Sequence, residues 1–412
     1  MSSPWFLNPN GPVALSELVS VLQAARSARL ERPAVPLALA TLVAVDGSSY
    51  RQPGARMLCD ADGRVLAGAI SGGCLEGDVA RRAAAVCVSG HGTVMTYDLR
   101  EDLETIWGFG SGCDGVAHIL LAPLADLSPL EDARLESEAR GNGVLLSIVE
   151  SIDPQRVGAM CFVRDAAPAL ATMPAVNARV QDTVRHTDRP YLGEQTTASG
   201  AERVFGSPVR PPVHVIVVGA SRGAESLARV AHAVGWRTTV VDHRSEVLES
   251  LALPNGSSRR IVAAEHAASA VLDGSVVVDA RTMFALCTHR FDHDQLWLET
   301  ALATESPYIG VLGSRQRATR LVRTLVDAGR PPRARDRARL FAPIGLDIGG
   351  DSPDEIGLAA VAEMQAVLES RPGGSLRERT APMHARSDTP HQNTDTFTVV
   401  CQNPLTTPRD RR

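Results

Sequence analysis

The sequence predicts an α/β chain: an N-terminal α/β domain followed by a Rossmann-like, doubly wound parallel sheet. Three observations predict it. From Val213 onward, strand-like and helix-like runs alternate, and "HVIVVGASRGAESLARVAHAVGWRTTVVD" passes strand, glycine turn, helix and second strand, the pattern of a doubly wound sheet. Before Leu124, short apolar runs bounded by Gly, Pro and Asp turns enclose one run of helical period. The 412 residues, 44% hydrophobic and 22% charged, are enough for two or three domains.

Several classes are disfavoured at once. A formal charge of −5 argues against general nucleic-acid binding. No apolar run reaches the length of a membrane span. The start, "MSSPWFLNPNGP", lacks the basic flank and apolar stretch of a signal peptide. Seven scattered cysteines without a CxxC suggest neither a disulfide framework nor a zinc site. A cytoplasmic protein with reduced thiols is expected.

In chain order, apolar spacing predicts a helix over Leu15–Leu30 and a buried strand at "LALATLVAV" (Leu37–Val45). "DGSSYRQPGAR" (Asp46–Arg56) reads as a turn-rich loop, and "MLCDADGRVLAGAI" as a hairpin turning at Asp62-Gly63. Leu75, Val79, Ala83 and Val86 set a helix. "GTVMTYDL" and "VAHILLAPL" are strands on either side of "GFGSGCDG". The expected division is 1–125 as the first domain, 126–210 as a connecting segment with a few strands, and 211–371 as the parallel-sheet domain. Within the connecting segment "GVLLSIVE" and "VGAMCFVR" read as strands, and the polar stretch 172–204 as loop. In the last domain, further strands are expected at "VVVDA" (Val276–Ala280) and "YIGVLG" (Tyr308–Gly313). Residues 372–412, rich in Pro, Ser, Thr and charge, are expected to be a disordered tail.

The candidate site residues fall in small glycine-framed motifs. Gly72 and Gly73 permit a tight turn, and Cys74 follows at a helix N-terminus, where N–H groups and the helix dipole favour a thiolate. Glu76 and Asp78 oppose that charge, and packing in a strand–helix joint is the alternative. Cys113 in "GFGSGCDG" is framed in the same way. If the two thiols meet, they could hold a soft metal. Ser48, Arg51 and Arg56 could cradle a phosphate or a pterin-like anion, or belong to an ordinary solvated loop.

In the second domain, Gly219 fits the first glycine of a dinucleotide turn and Asp242 the acid that meets a ribose diol, with NAD favoured over NADP. Ser221 stands where a second glycine is usual. The same letters match a G-x-S-x-G nucleophile elbow, but no strand-end acid followed by a loop histidine stands out. His289, in "CTHRFDHDQL", is a candidate acid/base of an NAD(P)-dependent oxidoreductase, with Asp292 as a helix cap. Ser314 and Arg315, in "GSRQRATR", suit an anion at the switch-point crevice.

Together these stretches resemble the XdhC/CoxI family, maturation factors for molybdenum hydroxylases such as xanthine dehydrogenase and carbon monoxide dehydrogenase. The resemblance runs in family order through "GSSYRQPGARML", "GAISGGCLEGDV", "GFGSGCDG", "GWRTTVVDHR", "THRFDHD", "YIGVLGSRQRATRL" and "APIGLDIGGDSPDEIGLA". It implies an accessory protein more than a turnover enzyme: one that binds molybdenum cofactor (molybdopterin), protects it during sulfuration and delivers it to an apo molybdenum hydroxylase. It further implies a cysteine desulfurase as partner and a homodimer. Cys74, and Cys113 with it, would face molybdenum or its dithiolene, and Ser48, Arg51 and Arg56 would hold the pterin phosphate. The chain departs from the family at Ala220-Ser221-Arg222, where a second glycine or a Gly-Pro-Asp form is frequent. The middle segment and the tail lie outside the resemblance.

Overall fold

The computed structural model describes residues 17–47, 49–99, 115–165, 178–197 and 200–378. These form two compact units, Glu17–Pro211 and Pro212–Glu378.

The first unit runs α1 (Glu17–Glu31), β1 (Leu37–Gly47), β2 (Arg56–Asp60), β3 (Val65–Gly68), α2 (Glu76–Ser89), β4 (Thr93–Asp98) and β5 (Gly115–Pro123). It continues with α3 (Ser128–Glu138), β6 (Gly143–Ser151), β7 (Met160–Arg164), α4 (Ala178–Thr187), β8 (Tyr191–Thr197) and β9 (Gly200–Val209). Among the described residues, one antiparallel sheet has the order β3-β2-β1-β5-β4 and a second the order β7-β6-β9-β8. The unbroken apolar run of β1 follows from burial on both faces. Ala38, Ala40 and Leu42 pack with Val79, Ala83 and Val86 of α2. Leu37 and Leu39 face α1 through Val21 and Leu22, and Val43 meets Val149 and Phe205 of the second sheet. Each such side chain contributes about 1.5–3 kcal/mol of burial free energy.

Residues 126–210, expected as a connecting segment with strands at "GVLLSIVE" and "VGAMCFVR", carry those two as β6 and β7, add α3, α4, β8 and β9, and cluster with the first unit. Most of the polar stretch 172–204 expected as loop is α4, β8 and the start of β9. The expectation failed because these strands turn polar groups inward. Gln195 and Glu202 are direct partners in the β8–β9 register and both are buried. The Gln195 amide donates to the Glu202 carboxylate at 2.8 Å, and Ser151 and Arg156 complete its shell at 2.9 and 3.1 Å.

The second unit alternates strand and helix. It runs β10 (His214–Val218), α5 (Arg222–Ala233), β11 (Arg237–Asp242), α6 (Ser245–Ser250), β12 (Ser258–Ile261), α7 (Ala267–Leu272) and β13 (Thr282–Leu286). Then follow α8 (Phe291–Leu302), β14 (Ile309–Val311), α9 (Arg315–Asp327), α10 (Ala334–Ala338), β15 (Leu340–Phe341) and α11 (Pro353–Leu368). The sheet is parallel, with order β12-β11-β10-β13-β14-β15. Strand order reverses between β10 and β13, which is where such sheets open a crevice at their carboxyl ends. Alternate residues of β10 feed two cores. Val215 and Val217 pack with Leu227 of α5 and Met364 of α11; Ile216 and Val218 pack with Trp297 and Leu298 of α8.

The expected strand at Val276–Ala280 is not one, and pairing starts at Thr282. Asp279 explains the shift. Its carboxylate accepts the Arg281 N–H at 2.8 Å and the Thr282 hydroxyl at 2.9 Å, so the chain turns just ahead of the strand. Asp292 does not cap α8 either; Arg290 holds the cap position and pairs with it at 2.6 Å. Of the expected tail 372–412, residues 372–378 are described and end in a 3-10 turn at Leu376–Glu378, while 379–412 lie outside the described residues. Among the described residues, no helix is long and apolar enough to cross a membrane.

Candidate functional site

In the first unit the candidate site is the turn between β3 and α2. Gly73 has φ +112°, and a Cβ built on it would meet nothing within 4 Å among the described residues, which leave the turn open on that side. A Cβ on Gly72 would lie 3.3 Å from the ring of Tyr50. Tyr50 therefore ties the loop after β1 to the cysteine turn, while remaining 63% exposed.

Cys74 is half-buried, in contact with the core that includes Ile70, Leu75 and Val79. Its S–H donates to Ser71 Oγ at 3.5 Å. Ser71 in turn donates its hydroxyl to Glu76 Oε2. Glu76 Oε1 accepts the N–H groups of Ser71 (2.7 Å) and Ile70 (3.2 Å). The N–H groups of Gly73 and Leu75 go to Ser71 Oγ at 3.2 and 3.1 Å. The expectation that the turn offers these donors to a thiolate is therefore corrected: Ser71 and Glu76 take them. Burial pushes the Glu76 carboxyl up, but hydrogen bonds from the Ser71 hydroxyl and the turn N–H groups outweigh it and hold it below the usual range. The result is a thiol at an open turn whose proton points along a Cys74–Ser71–Glu76 chain.

Ser48 and Cys113 lie outside the described residues. Among the described residues, no cluster of three His, Cys, Asp or Glu side chains is placed to hold a metal ion. Arg51 pairs with Glu17 at the start of α1, and Glu17 also accepts the Arg56 N–H. Arg56 does not project into the loop as expected. It is buried, with its guanidinium donating to Gly54 O at 3.1 Å and Ser207 Oγ at 2.6 Å. It braces the loop from beneath.

In the second unit a cavity of about 190 Å³ opens at the carboxyl ends of β10, β11 and β13. Val218, Val241, Val262 and Trp297 form its apolar lining, and Asp242, His243, Arg244, Thr288, Arg290 and His293 its polar one. Gly219 has φ +108°, and a Cβ there would sit 2.6 Å from the Cys287 carbonyl oxygen. That close approach of backbones by itself demands glycine. Ser221 caps α5, its Oγ accepting the Ala224 N–H at 3.3 Å.

Asp242 does not stand free for a ribose diol as expected. Its Oδ2 accepts the Ala220 N–H and Arg244 Nη2, both at 2.7 Å. Its Oδ1 accepts Arg244 N and Nε, both at 2.9 Å, and lies 3.1 Å from His243 Nδ1. Burial raises its pKa, but the Arg244 guanidinium and the two N–H groups prevail and bring it to about 2.

His289, Ser314 and Arg315 are exposed and are not among the residues lining the cavity. Ser314 caps α9 by accepting the Arg317 N–H at 3.2 Å. The group that supports the crevice wall is Asp294, fully buried, which accepts from the Thr288 hydroxyl at 2.5 Å and from Arg317 at 2.8 Å. The sequence does not single out Tyr50, His243 or Arg244 as site residues. The run "VVDHR" directly after the strand was the available signal for His243 and Arg244. Nothing in the sequence places His243 edge-on to His293, with ring centroids 5.0 Å apart. Also unforeseen is His118 of β5, buried between Thr96 (3.1 Å) and Asp46 (3.3 Å), with burial lowering its pKa.

Residues 30–98 match the XdhC and CoxI family, and residues 215–364 match the XdhC Rossmann domain. The chain is similar to a Bacillus subtilis protein described as a probable xanthine dehydrogenase subunit, 28% identical over 79% of this chain and 91% of that protein. It is also similar to the molybdenum cofactor insertion chaperone PaoD of Escherichia coli, 24% identical over 80% of this chain and 82% of that protein. A crystal structure described as a xanthine dehydrogenase from Bacillus halodurans shares the fold at a TM-score of 0.67 and 28% identity, covering 87% of this chain and 98% of that one.

Proposed function

We propose that this chain, which belongs to the XdhC and CoxI family, is a maturation factor that binds molybdenum cofactor as cargo and hands it to an apo molybdenum hydroxylase. The observation that carries the reading is the likeness to the E. coli insertion chaperone, which spans four-fifths of both chains. The cysteine turn supports it with suitable chemistry. Cys74 offers a sulfur donor at an opening bounded by Gly73 and the exposed ring of Tyr50. A thiolate is the preferred ligand for a soft metal centre.

The roles of the neighbours follow from charge. Glu76, held below the usual carboxylate range, is a poor acceptor for a thiol proton. Ser71 and Glu76 therefore orient the S–H, and the proton leaves when the soft metal binds, as metal–thiolate bonding requires. Arg51, on the loop and paired with Glu17 of α1, is the guanidinium that meets the pterin phosphate. In this reading the protein works as a homodimer and shields the cofactor while a cysteine desulfurase provides sulfur. The target is an apo-enzyme of the xanthine or carbon monoxide dehydrogenase type. An oxidoreductase reading finds less support, since His289, its candidate acid/base, lies outside the cavity lining.

The test is purification of the chain from cells that make the cofactor and are supplied with molybdate. Pterin should co-purify, and the protein should activate an apo molybdenum hydroxylase in vitro. Pterin-free protein that fails to activate the apo-enzyme would refute the proposal.

A further inference from the structure

We propose that the crevice of the second unit binds a nucleotide through a phosphate on its ribose, and selects that phosphate against a free ribose diol.

The argument is one of donors and acceptors. A carboxylate has roughly four lone-pair sites. Those of Asp242 already receive Ala220 N–H, Arg244 N–H, Arg244 Nε and Arg244 Nη2, with His243 Nδ1 at 3.1 Å. A ribose diol brings two hydroxyl donors that must find acceptors there, and Asp242 has none left. The Thr288 hydroxyl gives no help, since it is committed to Asp294 and to the Arg290 carbonyl and N–H.

What the crevice presents is the opposite. Arg244 binds Asp242 through Nε and Nη2, and its Nη1 makes no hydrogen bond among the described residues. The side chain is 47% exposed, so that edge of the fork faces solvent at the rim. Arg290 stands on the same lining, paired with Asp292 at 2.6 Å on the surface. An ion pair that exposed is weak in water and yields readily to a doubly charged ligand. His243 and His293 add ring nitrogens to the rim. The charged groups facing the cavity are thus Asp242, neutralised by its own partner, and two arginines with donors to spare.

Below this rim the walls are apolar, from Val218, Val241, Val262 and Trp297. An acceptor-rich anion above and a flat apolar group below describe a nucleoside with a phosphorylated sugar. A cavity of about 190 Å³ is smaller than the roughly 300–1,000 Å³ typical of whole-ligand pockets. It therefore takes one end of a dinucleotide. The position matches the general rule that an arginine beside the strand-end acid accommodates the 2′-phosphate of NADP. This reverses the preference for NAD expected from Asp242 alone. The proposal stands apart from the cofactor-handling reading and does not depend on it.

Calorimetry on the full chain tests it, with NADP, NAD, adenosine 2′-monophosphate, adenosine 5′-monophosphate and inorganic phosphate as separate probes. NADP should bind at least tenfold tighter than NAD, and the 2′-monophosphate tighter than the 5′-monophosphate. Inorganic phosphate should bind more weakly than either mononucleotide. Arg244→Ala should bring the NADP-to-NAD ratio close to one, and Arg244→Lys, which keeps the charge without the fork, should lower it partway. Should Arg244→Ala fail to fold, the wild-type ratio and Arg244→Lys still decide. Equal or tighter binding of NAD, binding of none of the five, phosphate as tight as the 2′-monophosphate, or an unchanged ratio in a folded Arg244→Ala protein would overturn the proposal. Pterin content, read separately, is unaffected by any of these results.

Discussion

Gly73 and Gly219 sit at two strand–helix joints with nearly the same φ, +112° and +108°, and opposite surroundings. Among the described residues there is open space beside Gly73; beside Gly219 the Cys287 carbonyl lies 2.6 Å from where a Cβ would be. In both turns a serine and an acid consume the local N–H groups: Ser71 with Glu76, and Ser221 with Asp242. The first turn leaves a thiol at an opening. The second leaves a packed joint, and the groups able to meet a ligand move outward to Arg244 and the crevice rim. A strand, small residues and a helix thus write alike in sequence, and the neighbour on the far side of the glycine determines what the turn can do.

The largest effect should come from filling the packed joint. Gly219→Ala places a methyl against fixed backbone, so both strand ends must shift. A loss of about 3 kcal/mol or more is expected, visible as a lower urea midpoint of unfolding. A loss under ~1 kcal/mol would mean that the close approach is not obligatory.

Next comes the charge that closes the same joint. Asp242 has a folded-state pKa of about 2 against an ordinary 3.8. Because the folded value is the lower, its contribution is complete above the ordinary pKa and is lost as pH falls toward 2. At about 1.4 kcal/mol per pKa unit, it amounts to roughly 2 kcal/mol at neutral pH. Asp242→Asn should lose about that much at pH 7 by urea unfolding. The gap to wild type should narrow between about pH 4 and pH 2. A gap that stays constant over that range would assign the effect to packing.

A smaller effect is expected at the open turn. Among the described residues Gly73→Ala has room for its methyl and suffers only the unfavourable backbone, about 1–2 kcal/mol. If it proves as damaging as Gly219→Ala, the contrast between the two turns fails.

What was legible in the sequence was what local pattern encodes. The runs of β1, β10 and β11 were. The glycine-framed Cys74 ahead of α2 was legible for the same reason. What escaped depends on partners distant in the chain. β8 was hidden because its inward Gln195 finds Glu202 across the sheet, so a polar residue occupies a core position. Arg56 looked like a ligand-facing cation because nothing near it in sequence announces Ser207 as its partner. Asp242 and Arg244 stand two residues apart, yet only the fold shows the guanidinium closing over the carboxylate and changing which ligand the crevice can accept. The joining of Tyr50 to the cysteine turn is of the same kind.

The most direct test of the central claim is the molybdopterin content of Cys74→Ser against wild type, both purified from the same cofactor-producing cells. Among the described residues the thiol makes one hydrogen bond, to Ser71, so serine should change stability by no more than about 0.5 kcal/mol. A folded mutant that retains at least several-fold less cofactor is the predicted result. Equal cofactor content in mutant and wild type would contradict the account and return Cys74 to packing alone.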